Sequence, residues 1–131
     1  MYTYKATLLR VVDGDTCDAI IDLGFDVSIK KRIRFAGINA PESRTRDLKE
    51  KARGLAAKDR VKAILAENPS FTLESTELGK YGRVLGRIHI NVLDGAEGLT
   101  QTCLNDQLVK EGHAVEYYGG KRWKINWLGN V

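Results

Sequence analysis

The chain has 131 residues, 43% of them hydrophobic, and carries 21 Lys and Arg against 17 Asp and Glu, for a net charge of +4. This length suits one domain, residues 1–131, able to bury roughly two-thirds of its unfolded surface. No run is apolar for long enough to span a bilayer, so no membrane partner is expected. The mild positive balance favours a polyanion without identifying one. The opening Met1-Tyr2-Thr3-Tyr4-Lys5 lacks the pattern of a signal peptide. With Met1 as the native start the expectation is a cytoplasmic protein; a trimmed signal would make it a secreted one.

In chain order, residues 4–12 predict a first strand and residues 16–22 a second, with Leu23-Gly24-Phe25-Asp26 turning into a third over residues 27–36. The third alternates: Val27, Ile29, Ile33 and Phe35 share one face, and Ser28, Lys30, Arg32 and Arg34 the other. A helix is predicted from about Asp47 to Glu67, with Leu55, Ala56, Val61, Ile64 and Leu65 as its buried stripe and Asn68-Pro69 as its end. Gly54 interrupts that stretch, so the firm helix is expected to start there.

Residues 70–75 predict a fourth strand burying Phe71 and Leu73, and residues 83–92 a fifth, with Val84, Ile88, Ile90 and Val92 inward. Thr100 or Thr102 is the expected cap of a second helix with the stripe Cys103, Leu104 and Leu108, stopped by Gly112. Cys17 and Cys103, in apolar positions of separate elements, are expected to be reduced and buried. His89 and His113 read as surface and helix-end residues, and Trp123 and Trp127 as packing. Mainly β α+β architecture follows: five short strands with a helix between the third and fourth have the layout of an OB-fold barrel with two helices.

Two turns carry the chemistry. Asp13-Gly14-Asp15-Thr16 and Asn39-Ala40-Pro41-Glu42 each follow a strand and present oxygen-bearing side chains, and Arg34 lies just before the second. Oxygen ligands, an Arg and a further Glu suit a hard cation acting on a phosphate. A guanidinium can contact two phosphate oxygens at once, which favours Arg over Lys at positions 34 and 83.

With Lys80-Tyr81-Gly82-Arg83 and the run Leu104-Asn105-Asp106-Gln107-Leu108-Val109-Lys110-Glu111-Gly112, these motifs, in order, resemble the staphylococcal nuclease (thermonuclease) family over roughly residues 4–118. The resemblance implies a monomeric, Ca²⁺-dependent nuclease that cleaves DNA and RNA on the 5′-oxygen side to leave 3′-phosphates. By the same resemblance Asp15, Asn39 and the Ala40 carbonyl would hold Ca²⁺. Glu42 would activate the attacking water, with Arg34 and Arg83 on the phosphoryl oxygens. Lys80, Tyr81 and Tyr118 would contact the substrate.

Two features depart from the family pattern: Asn39 stands where an Asp is usual, and the chain stops soon after Tyr118 instead of entering a third helix. An Asn oxygen can coordinate calcium but brings no charge, so weaker metal binding is expected. The alternative is a catalytically weak or inactive module of the same family that binds nucleic acid or protein.

Overall fold

A computed structural model describes residues 2–78, 83–94 and 98–117. Strands β1 (Tyr2–Asp13), β2 (Thr16–Gly24) and β3 (Val27–Phe35) form an antiparallel meander. Period-two alternation sends Cys17, Ala19, Ile21, Ile33 and Phe35 into the core, and a register shift between Leu8 and Arg10 turns Val11 to the same side as Ala6. The β2–β3 connection is a two-residue turn in which Phe25 and Asp26 have φ of 54° and 61°. Both lie in the left-handed region, which suits the twist of a tight hairpin but costs a residue with a Cβ about 1–2 kcal/mol.

After β4 (Ile38–Asn39) and α1 (Leu48–Glu67), β5 (Ser70–Leu78) returns against β1, and β6 (Val84–Asp94) against β5. Strand β6 also pairs in parallel with β3 through Ile33↔Val84, Arg34↔Leu85 and Phe35↔Gly86. That pairing joins β3-β2-β1-β5-β6 into a ring of five strands, with α1 between the third and fourth of them in chain order, as the layout of the sequence predicts. Phe71, Leu73, Ile88 and Ile90 complete its interior, as their spacing requires.

The helices differ from expectation. Helix α1 runs unbroken through Gly54 from its N-cap, where the Asp47 carboxylate accepts the N–H groups of Lys49 and Glu50. Its buried stripe is Gly54, Ala57, Val61 and Leu65, while Leu55 and Ala56 are exposed and Ile64 half-buried. Thr100 and Thr102 do not cap a helix; they lie in β7 (Gly98–Cys103), an added strand paired with β6. Helix α2 (Leu104–Lys110) follows directly, buries Leu104, Asn105 and Leu108, and has no side-chain cap at Cys103. Gly112 stops it at φ 81°, the backbone turning so that its N–H reaches the Val109 carbonyl.

A two-residue strand, β8 (Val115–Glu116), pairs with β4 and fixes Ile38 and Asn39 beside the ring. Cys17 is fully buried and Cys103 half-buried, both as free thiols. Burial pushes the Cys17 thiol up to about 12, with the neighbouring Asp18 charge adding to the effect. No helix among the described residues is long and apolar enough to cross a membrane.

Candidate active site

The β1–β2 turn, the end of β3 and the segment after β4 meet above the N-terminal half of α1. Small residues make the meeting possible. A Cβ on Gly14 would lie 2.6 Å from the Ala57 Cβ and 3.0 Å from the Ala40 Cβ, so the Asp13–Asp15 turn can sit on α1 only with glycine there. A Cβ on Gly54 would lie 2.3 Å from the Glu42 carbonyl oxygen and 2.7 Å from the Ser43 nitrogen. Gly54, read from sequence as a weak point of the helix, is the seat of the Glu42 backbone.

Asp15 is the hub. Its Oδ1 accepts the Thr16 hydroxyl at 2.9 Å and its Oδ2 the Ala40 N–H at 2.8 Å, a bond that ties the two turns together. The Arg34 Nη2 lies 3.5 Å from Asp15 Oδ2 and donates to Asn39 Oδ1 at 3.1 Å, while its Nη1 donates to the Phe35 carbonyl at 3.0 Å. Asp15, distant in sequence from the Arg34–Asn39 pair, is thereby brought to the same guanidinium as Asn39. Truncating either member of a buried ion pair of this kind costs about 3–5 kcal/mol, because the other charge is stranded.

Glu42 is exposed at the rim, its backbone N–H held by the Glu50 carboxylate at 3.0 Å. The next residue is clamped harder. Asp13 Oδ1 accepts both the Ser43 N–H at 3.2 Å and the Ser43 hydroxyl at 2.5 Å. The clamp and Glu50 fix the backbone that carries Glu42 from both sides. Sequence reasoning missed Ser43 and Glu50, whose only signal is their nearness to Glu42 in the chain.

Arg83 immediately precedes β6, whose Val84 and Leu85 pair with Ile33 and Arg34, so the ring closure brings both predicted phosphate-binding arginines to neighbouring strands. Asn105 secures that junction from α2. Its Oδ1 accepts the Ile88 N–H at 3.1 Å, and its Nδ2 donates to the Ala36 and Gly86 carbonyls at 2.8 and 3.2 Å. Lys80, Tyr81 and Tyr118, the predicted substrate contacts, lie outside the described residues, as do Trp123 and Trp127.

Around Asp15 the structure brings together two kinds of hard oxygen, its own carboxylate and the Asn39 amide oxygen, both facing the Nη2 of Arg34; hard oxygens are the donors that a cation such as Ca²⁺ prefers. The charge of this donor set is low. Among the described residues no three His, Cys, Asp or Glu side chains gather into a metal cage. Asn39 is 0% exposed, and its Nδ2 is buried without a partner, a cost of about 1–3 kcal/mol.

The family model described as "Staphylococcal nuclease homologue" matches residues 32–126. The chain is similar to the micrococcal nuclease of Shigella flexneri, 33% identical over 119 residues that cover 88% of this chain and 61% of that protein. It is also similar to Protein ParB of Escherichia coli, 25% identical over 113 residues covering 86% and 57% of the two chains. It thus spans about three-fifths of the length of these curated relatives.

Proposed function

The chain belongs to the staphylococcal nuclease family, and on that premise we propose that it is a Ca²⁺-dependent nuclease. It hydrolyses phosphodiester bonds of DNA and RNA, single strands preferentially, on the 5′-oxygen side, to give 3′-phosphates. The observation that carries this reading is the convergence of Arg34 on Asp15 and Asn39 beside a Glu42 segment held by Asp13, Glu50 and Gly54.

A phosphodiester is anionic, and an attacking water adds charge as phosphorus becomes five-coordinate. Arg34 and Arg83 face that charge with donors whose fork matches two phosphoryl oxygens. Glu42, at the solvent edge, orients a water and accepts its proton as the new P–O bond forms. The P–O5′ bond then breaks, and the departing 5′-oxygen takes a proton from solvent water to become the 5′-hydroxyl. Held by Asp15, Asn39 and the Ala40 carbonyl, Ca²⁺ would supply further neutralisation of the phosphate. Phosphate contacts and base stacking carry little sequence information, so broad sequence tolerance is expected.

One observation favours a non-catalytic binding module instead. Asn39 brings no charge and gives its oxygen to Arg34. Incubating single-stranded DNA and RNA with the protein in millimolar-range Ca²⁺ or chelator, beside Glu42→Gln, separates the two. Calcium-dependent cleavage that the variant lacks, with its binding retained, supports the nuclease. Calcium-independent binding with no turnover across a calcium titration supports the module.

A further inference from the structure

The β2–β3 hairpin ends in a feature the proposed reaction does not use. Residues 22–28 are exposed on both faces, so the tip stands clear of the ring. Phe25, at its apex, is 101% exposed and adopts a φ of 54° that a bulky residue rarely takes. Leu23 and Val27 flank it, also exposed. Such a turn is ordinarily made with Asn or Gly. Here the chain accepts backbone strain to hold an aromatic ring in water, which points to a use outside the fold.

The same hairpin connects that ring to the candidate active site. Register places Arg34 opposite Thr16 at one end, then Arg32 opposite Asp18 with Arg10 on the next strand, then Lys30 opposite Ile20. Alternation puts Arg34, Arg32 and Lys30 on one face of β3. Asp18 and Asp22 are the acidic members of this face, Asp18 bound by the Arg32 Nε at 2.8 Å with Arg10 at 3.9 Å, and Asp22 opposite Lys5 on β1. Arg10, Arg32, Lys30 and Lys5 together exceed them by two positive charges. From the Thr16–Arg34 pair to the tip is about 25 Å at ~3.3 Å per residue.

We propose that this face is a track for single-stranded nucleic acid extending from the scissile phosphate, with Phe25 stacking on a base at its far end. The inference rests on the nucleic-acid reading above and adds to it a second, remote contact. The cations follow the backbone and the ring supplies a sequence-tolerant platform, the pairing that single-strand binders use. The charge along β3 and β1 favours a nucleic acid over a protein as the occupant.

The test measures fluorescence anisotropy of a labelled dinucleotide and of a DNA strand of about 12 nucleotides, a length within the site size of one OB fold. Protein carrying Glu42→Gln, which prevents turnover, is compared with and without Phe25→Ala, Phe25→Trp and Phe25→Gly. Phe25→Ala should weaken binding of the longer strand by about 5- to 100-fold, as expected for one lost stack, and leave the dinucleotide unchanged. Phe25→Trp should restore it. Phe25→Gly should raise the thermal midpoint by relieving the turn while still weakening the longer strand, a split that a merely structural role would not give. Equal affinity of Phe25→Ala and its parent for the longer strand overturns the proposal. So does a change confined to the sedimentation coefficient, which would assign the tip to self-association. If the parent itself binds neither ligand, the nucleic-acid reading fails instead.

Discussion

Replacing Gly54 by alanine sets two opposed effects against each other. In an ordinary helix interior the change would stabilise by about 1 kcal/mol, since glycine is a poor helix former. Here the new methyl would come within 2.3 Å of the Glu42 carbonyl oxygen and 2.4 Å of its carbon, both backbone atoms with no side-chain freedom to yield. Relief requires the residue 42–43 segment to move away from α1 by about 1 Å, and overpacking of this kind costs about 1–3 kcal/mol. The net expectation is a loss of up to about 2 kcal/mol, measured by urea denaturation. Because Glu42 moves with its backbone, cleavage should fall by about 10²-fold in kcat, the usual price of a 1 Å misplacement. A variant that is stabilised by the full helix increment and cleaves like its parent would refute the seat assigned to Gly54.

Asn39→Asp should tighten Ca²⁺ binding and leave activity equal or higher. It also places a second carboxylate beside Asp15, so its thermal midpoint should rise more on adding Ca²⁺ than the parent's does; weaker calcium binding by calorimetry would remove Asn39 from the ligand set. Asp13→Ala frees the Ser43 N–H and hydroxyl and should lower kcat about tenfold with little change in KM, read from steady-state cleavage rates. Arg60 grips Glu111 through contacts of 2.6 and 2.9 Å, and this holds the carboxyl down at about 2, below its ordinary 4.5. A depressed carboxyl stabilises above its unfolded value and loses that contribution as pH falls from 4.5 towards 2. Arg60→Ala should therefore cost up to about 1 kcal/mol at neutral pH and flatten the acid limb of stability in that window, followed by urea melts at stepped pH.

Much of the ring was legible because the inward residues of β2, β3, β5 and β6 recur two positions apart, while β1 changes face at its register shift between Leu8 and Arg10. The turns bearing Asp15 and Glu42 were legible because Asp, Gly and Pro after a strand mark turns; that the two turns meet rests on the Ala40 N–H to Asp15 bond, between residues 25 apart. What escaped is instructive. Leu99-Thr100-Gln101-Thr102 suits a helix approach or a strand equally, and pairing with β6, a long-range contact, decides it. The strands β4 and β8 are too short to carry a period. Gly54 reads as a flaw in a helix unless one knows that another backbone crosses there. Asn105 is polar and fully buried, and only three partners distant in sequence explain why.

The parallel seam between β3 and β6 joins residues about 50 positions apart, with α1 and β5 made in between. Contacts of that separation are slow to form, because a long loop must be ordered before the pairing repays it. With only three registered pairs, the seam is among the last parts to assemble and the first to part. Arg34 and Arg83 stand on opposite sides of it. Gentle heating should thus separate the two guanidinium groups while β1 and β2 still hold together, so hydrogen exchange at Ala36, whose N–H is held by the Gly86 carbonyl at 2.8 Å, would report inactivation before global unfolding begins.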